Sequence, residues 1–150
     1  MLKQKVQSIM ADDVSDFTRS MGIATSGLRA QAGRMRVISE NIANAESTAP
    51  SAGGDPYRRK VPTFVSALDR ALDAKVVTLG RIAPDRSDFR SKYEPSNPAA
   101  DATGYVKYPN VNPLVEMTDM RDAQRSYEAN LNIISATRRM IQRTLDILKA

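Results

Sequence analysis

The sequence has 150 residues, of which 41% are hydrophobic and 26% are charged, and it contains no Cys, His or Trp. A chain of this length forms at most one modest domain. The missing Cys and His side chains exclude disulfides, zinc sites with the usual nitrogen and sulfur ligands, Cys or His nucleophiles and imidazole bases. Aromatic residues make up only 5%, so the core is expected to be aliphatic, which favours helices over a β-sandwich.

The net charge of +5 comes from 22 basic and 17 acidic side chains. A clustered excess would indicate nucleic acid or an anionic membrane as partner, but the excess is only +1, +3 and +1 over residues 1–50, 51–113 and 114–150. The one basic triplet, Arg58-Arg59-Lys60, keeps a basic helical nucleic-acid-binding or adaptor module as the alternative function. No stretch approaches the length of a membrane span, and the first residues lack the apolar core of a secretory signal peptide.

The first predicted element is an amphipathic helix over residues 16–45. Apolar or small residues recur there at alternating steps of four and three, interrupted only at Gln31. These residues are Phe17, Met21, Ala24, Leu28, Met35, Ile38, Ile42 and Ala45. Pro50 ends the helical pattern.

Three glycines lie inside this predicted helix, at Gly22, Gly27 and Gly33. Each costs about 1 kcal/mol relative to Ala, so we expect a neighbouring helix to approach closely there; a break near Gly22 is the competing interpretation. The first two have the spacing of a phosphate-binding loop, but Leu28 and Arg29 stand where Lys and Ser or Thr are required. The sequence therefore predicts no nucleotide site.

The middle of the chain reads mostly as loop. Residues 47–112 hold every proline except Pro113 and four of the seven glycines. Within it we predict a short helix over Thr63–Ala74, and two short strands, Lys75–Leu79 and Phe89–Tyr93, that pair with each other.

A second amphipathic helix is predicted from Asn112-Pro113 to the end of the chain, since proline is favoured at the first helical position. Its predicted apolar row again alternates three and four, the pattern of a coiled coil. The row is Met117, Met120, Gln124, Tyr127, Leu131, Ile134, Arg138, Ile141, Leu145 and Leu148.

These elements predict a mainly α fold. Two long antiparallel terminal helices, residues 16–46 plus 114–150, form a coiled-coil-like core domain. Residues 47–113 are a loop-rich middle segment with a small β-hairpin, and residues 1–15 are a leader that the sequence leaves open as ordered or disordered. Two helices alone bury only one face each, so such sustained rows are expected to find further helices in other subunits. The sequence therefore indicates an assembly protein.

Carboxylate pairs one helical turn apart could in principle form acid–base sites. Asp69 with Asp73, and Glu116 with Asp119, have this spacing, but both are flanked by Arg and are expected on solvated faces. We therefore predict no catalytic residue, no cofactor and no metal, and a protein that is not an enzyme.

Six segments carry a resemblance to a known family. They are Ser26–Gln31, Ser39–Ala45, Tyr57–Lys60, Gly104–Pro113, Arg125–Leu131 and Thr144–Leu148. Together they resemble the bacterial flagellar rod and hook protein family, and the short middle segment is most similar to the proximal rod members. The resemblance covers about residues 17–150; the leader departs from the family pattern, and the linker over residues 48–56 is of a kind that varies within it.

The resemblance implies a structural subunit of the flagellar basal body that polymerises through its terminal helices into the drive shaft carrying torque from motor to hook. It implies export through the flagellar type III apparatus without a cleaved signal peptide, into a rod that spans the periplasm. The implied partners are further copies, other rod subunits, the inner-membrane ring and export apparatus, and the distal rod, with no nucleic acid and no small-molecule substrate.

The residues expected at subunit interfaces combine members of the two apolar rows, nearby Asn side chains and the Tyr57–Lys60 segment. They are Leu28, Ile38, Asn41, Ile42, Asn44, Tyr57, Arg58, Tyr127, Asn130, Leu131, Ile134, Ile141 and Leu145. The Asn side chains are expected to make polar contacts within or between subunits that set the register of the helices.

Overall fold

A computed structural model describes residues 2–149, and the side chains of residues 15–147. Its elements are α1 (Leu2–Ala43), β1 (Lys60–Asp69), β2 (Ala74–Pro84), β3 (Arg90–Tyr93), β4 (Tyr105–Tyr108) and α2 (Pro113–Lys149). The two terminal helices and the intervening β-hairpin structure are thereby confirmed. Neither helix, over the part of the chain described, is long and apolar enough to cross a membrane.

α1 begins at Leu2, well before the predicted start at residue 16, and ends two residues before the predicted Ala45. No Pro or Gly precedes Gly22, so nothing in the sequence interrupts the helix on that side. The α1 helix also continues without a break through Gly22. Met1 and the side chains of residues 2–14, which belong to the predicted leader, lie outside the described residues.

α2 begins at Pro113, as predicted. Asn112 caps it, because its side-chain oxygen accepts the Leu114 N–H at 3.1 Å and its carbonyl accepts the Glu116 N–H at 3.1 Å. The side chain thus satisfies the otherwise unpaired N–H of Leu114, and the Asn112 carbonyl accepts the first bond of the helix.

The strands correct two predictions for the middle segment. The short helix over Thr63–Ala74 is wrong, because most of that stretch lies in β1, whose alternating Val61, Thr63 and Val65 favour a pleated strand. The strands predicted at residues 75–79 and 89–93 are found in β2 and, from Arg90 onward, in β3, but they do not pair with each other.

Each strand instead pairs with its other neighbour. β1 pairs with β2, and β3 pairs antiparallel with β4, with Arg90 opposite Tyr108 and Tyr93 opposite Tyr105. The middle segment therefore contains two separate two-stranded sheets where one small hairpin was predicted.

The chain divides into two compact units. Unit 1 comprises Met1–Ala32, Phe64–Leu79 and Arg125–Ala150, and unit 2 comprises Gly33–Thr63 and Gly80–Gln124. Each unit takes one part of α1 and one part of α2, together with strand residues from the middle segment.

In unit 1, small residues bring the helices close together. Ala24 and Ala30 of α1 are almost fully buried, and Thr137 of α2 is 5% exposed. A Cβ placed on Gly27 would lie 2.8 Å from the amide atoms of Asn130. The expected close approach of a neighbouring helix is therefore found at Gly27, and the neighbour is the α2 of the same chain.

In unit 2, the core is aliphatic, as the composition predicted. Its buried apolar side chains include residues from both helices, β4 and the loop after it: Val37, Ile38, Val106, Val111 and Ala123. The helices run antiparallel here, because Arg34 lies beside Asp119 while the later residue Asn41 reaches the earlier residue Glu116.

The predicted apolar row of α2 is rotated relative to the row that the structure buries. The buried row contains Glu116, Ala123 and Thr137, together with the half-buried Asn130. The predicted row lies one position later in the helix, and its members Met117 and Leu131 are 51% and 42% exposed. Met120, Tyr127, Ile134 and Ile141 belong to both rows and are half-buried. In α1, Ile38 is buried, and Leu28 and Ile42 are half-buried.

Candidate assembly surfaces

A buried polar cluster in unit 2 is centred on Asn41, which is 1% exposed. Its amide nitrogen donates to the Lys60 carbonyl and to Glu116 Oε2, both at 2.9 Å. Its amide oxygen accepts the Tyr57 hydroxyl at 2.8 Å and the Lys60 N–H at 2.9 Å. With all four hydrogen-bonding positions of the amide filled, Asn41 fixes the start of β1 against α1.

Glu116 is the second member of the cluster and is fully buried. Its Oε1 accepts the Arg59 Nε–H at 2.6 Å, and its Oε2 accepts from Asn41. Arg59 also lies 3.6 Å from both Asp85 and Asp119. Burial works against the charge of Arg59, but the bond to Glu116 and the nearby carboxylates raise its pKa, so Arg59 keeps its charge.

Sequence reasoning missed both Glu116 and Arg59, and the expectation that Glu116 lies on a solvated face is wrong. A carboxylate reads as a surface residue from the sequence, because charged side chains are almost never fully buried unless they are paired. No local sequence signal marks Glu116 as buried, because the row that it shares with Ala123 is known to be buried only from the structure.

Burial raises the pKa of the Tyr57 hydroxyl, which keeps it protonated as the donor to Asn41. Arg58 stacks over Phe89, with its guanidinium carbon 4.1 Å from the ring centroid, and donates to the carbonyls of Asp85 and Ser87. Lys60 Nζ pairs with Glu40 at 3.0 Å. The basic triplet is therefore occupied by contacts within its own chain.

The other predicted Asn side chains also have partners within the chain. Asn44 donates to the Glu40 carbonyl at 2.8 Å near the end of α1. Asn130 donates to the Ser126 carbonyl at 2.9 Å and lies against Gly27. Their contacts with other subunits stay a prediction.

The segment between β3 and β4 holds a carboxyl group whose pKa is strongly lowered. Glu94 accepts hydrogen bonds from Lys92, Asn97 and Tyr108, which lower its pKa to about 2. Across the same sheet, the exposed rings of Tyr93 and Tyr105 meet edge to face, with centroids 5.3 Å apart. This is a charge-stabilised turn and not a proton-transfer site.

Two surfaces of unit 1 expose large apolar side chains. The distal α2 surface is defined by Leu131, Ile133, Met140, Leu145 and Ile147, which are 42–77% exposed. The β1 surface is defined by Phe64, Val65 and Leu68, which are 41–62% exposed. Exposed apolar groups of this extent are typical of surfaces that bind another protein.

Two family models match the chain. Residues 21–49 match the model described as "Flagella basal body rod protein", and residues 102–147 match "Flagellar basal body rod FlgEFG protein C-terminal". Among curated relatives, the flagellar basal-body rod protein FlgC of Agrobacterium fabrum is 54% identical over 128 residues, which are 85% of this chain and 92% of the relative. The FlgC proteins of Bacillus subtilis and Aquifex aeolicus are 39% and 38% identical, over 87% and 89% of this chain and 97% and 98% of their own lengths.

The chain belongs to the FlgC family of flagellar basal-body rod proteins. The resemblance drawn from the sequence motifs is thereby confirmed, and the protein is a structural rod subunit and not an enzyme. Both residue ranges matched by the family models contribute to the buried cluster, since Asn41 lies in the first and Glu116 in the second.

Proposed function

We propose that this rod subunit polymerises through its terminal helices, in the proximal part of the rod, to form a tube that carries torque from motor to hook. Its partners in this proposal are further copies and other rod subunits, with the inner-membrane ring and export apparatus at one end and the distal rod at the other. The rod would span the periplasm, and export would run through the flagellar type III apparatus without a cleaved signal peptide.

The arrangement of apolar side chains on α2 carries this proposal. Residues seven apart lie on one row of a helix, so Leu131 and Leu145 share one row with the exposed Arg138 between them, while Ile133, Met140 and Ile147 form another. With about 100° between successive residues, the two rows flank the row of Asn130 and Thr137 that faces α1. Each side of α2 thus keeps an apolar row for a different neighbour.

The face of α2 directed away from α1 is polar. It carries Glu128, Asn132, Arg139, Arg143 and Asp146, all exposed. An apolar row on each side and a polar outer face suit a helix set between two neighbours in a ring or tube, with the polar face toward water. Contacts between different surfaces of successive copies generate open helical assemblies, as a rod requires.

Leu131→Asp tests the proposal. The side chain is 42% exposed, so the charge can stay hydrated in the free subunit, and we expect its circular dichroism and melting temperature to stay close to wild type. In an assembled rod the same charge would be buried without a partner, at a cost of several kcal/mol, so assembly and motility should be lost.

Asn132→Asp is the matched control, since it introduces the same charge one residue further along, on the polar face. We expect this variant to assemble and swim. Motile cells with normal basal bodies carrying Leu131→Asp would contradict the proposal, as would equal loss in both variants.

A further inference from the structure

In unit 1, the turn between β1 and β2 rests on one face of α1 through three contacts. Leu72, in the turn, fills the space beside Gly22, where its Cδ2 lies 3.0 Å from the position of a Cβ built on the glycine. Arg19 Nε donates to the Leu72 carbonyl at 3.0 Å, and the Val77 N–H donates to Ser26 Oγ at 3.3 Å. Positions 19, 22 and 26 follow helical spacing, so the three contacts share one face.

The turn is shaped by its own residues before it meets the helix. Asp69 Oδ1 accepts the N–H groups of Ala71 and Leu72 at 2.9 and 3.2 Å, and Asp73 adopts a left-handed φ of 47°, which Asp tolerates better than most side chains. Leu72 is therefore presented in a defined position. On the helix side, the Asp16 carboxylate holds the Arg19 guanidinium at 2.9 Å.

The docking leaves the two strands in different surroundings. Because the Val77 N–H donates to Ser26 Oγ, this part of β2 turns an edge toward α1. Covering an edge with a helix is a common way to protect it. Within the described part of the chain, β1 pairs with no strand other than β2, and the β1 surface is exposed.

We propose that the β1–β2 turn is a strap that closes on α1 through Leu72 and Gly22, and that Gly22 is the positioning residue that holds the β1 surface in place in the rod. A two-stranded hairpin is marginally stable alone in water, so the contact with α1 decides whether this one is ordered. The role within the rod rests on the proposed function; the closure of the strap itself does not.

Hydrogen exchange on the purified subunit tests the closure. An Ala at position 22 would displace only the end of the Leu72 side chain, so Gly22→Leu is the informative change, because it fills the space. We expect amides of residues 64–79 to exchange about tenfold faster in Gly22→Leu. Adding Leu72→Ala reopens the space, and the double variant should regain protection relative to Gly22→Leu alone.

Ala32→Leu, on an exposed position of the same helix, controls for adding a leucine to α1 and should leave the exchange of residues 64–79 unchanged. Equal exchange of residues 64–79 in wild type and Gly22→Leu would overturn the strap. The strap would also be overturned if the effects of Gly22→Leu and Leu72→Ala on the exchange of residues 64–79 were simply additive in the double variant.

A disulfide tests the strap inside the rod. The chain has no Cys, so introduced Cys residues have no competing partner within it. The Leu72 Cγ, whose place a Cys sulfur would take, lies 3.3 Å from the Gly22 Cβ position. In a disulfide, the Cβ of one Cys lies roughly 3 Å from the sulfur of the other. In basal bodies purified from cells carrying Gly22→Cys with Leu72→Cys and treated with oxidant, we expect a bond within one chain. Each single Cys variant should give none.

Basal bodies that form with a bond between two copies, or with no bond, would overturn the strap while leaving the rod function standing. Failure of the double Cys variant to build basal bodies under reducing conditions, with both single variants normal, would also overturn it. Loss of motility with Leu131→Asp depends on a different surface, so the two proposals can fail separately.

Discussion

Replacing Glu116 by Gln should strongly destabilise unit 2. Both Glu116 oxygens accept hydrogen bonds, from Arg59 and from Asn41, whereas a Gln amide must turn its NH₂ group toward one of these donors. Removing one partner of a buried ion pair costs about 3–5 kcal/mol. Arg59 keeps 22% exposure and two other carboxylates at 3.6 Å, so we expect the lower end, about 3 kcal/mol.

That loss is a large share of the 5–15 kcal/mol typical of a folded domain, and it corresponds to a fall in melting temperature of about 6–12 °C. Urea titration of the full chain, followed by circular dichroism, measures it. Glu128→Gln is the matched control, because Glu128 is exposed on the same helix, and its effect should stay within about 0.5 kcal/mol. Equal stability of the two variants would refute the assignment of Glu116 as the central charge of the cluster.

Three further changes test other parts of the fold. The pKa of Glu94 is about 2 against its usual 4.5, so its ionised form stabilises the folded state. This contribution to the free energy of unfolding is present above pH 4.5 and is lost as the pH falls toward 2. Glu94→Gln should therefore lose less stability than wild type over that range, and parallel plots of unfolding free energy against pH for the two proteins would contradict this. Asn112→Ala removes the acceptor for the Leu114 N–H and should lower the free energy of unfolding by about 1 kcal/mol. An unchanged midpoint of urea unfolding would argue against the cap. Gly27→Ala puts a Cβ 2.8 Å from the Asn130 amide, which cannot move away without losing its hydrogen bond to the Ser126 carbonyl. The overpacking cost of about 1–3 kcal/mol should therefore exceed the gain of about 1 kcal/mol in helix propensity. The double variant with Asn130→Ala should be more stable than Gly27→Ala alone, and a less stable double variant would speak against the close contact.

The sequence by itself determined the terminal helices, the start of α2 and the family. Helical periodicity, a proline at the first helical position and the six motif segments are local signals, and none depends on which distant residues meet. The start at Asn112-Pro113 is confirmed to the residue. The strands at residues 75–79 and 90–93 were also readable, because strand formation follows local residue preference.

The tertiary structure alone decided how those elements pair and which side chains are buried. β2 pairs with β1, and β3 pairs with β4. The local sequence pattern cannot tell these pairs from a pairing of β2 with β3, because pairing depends on which strand reaches which edge in the folded chain. On α2 several rows are apolar, and periodicity cannot say which row one partner helix covers; close approach at Gly27 and Asn130 selects it. Glu116 is buried because Arg59, which lies 57 residues away in the sequence, neutralises it, and such a long-range pairing leaves no trace in local sequence.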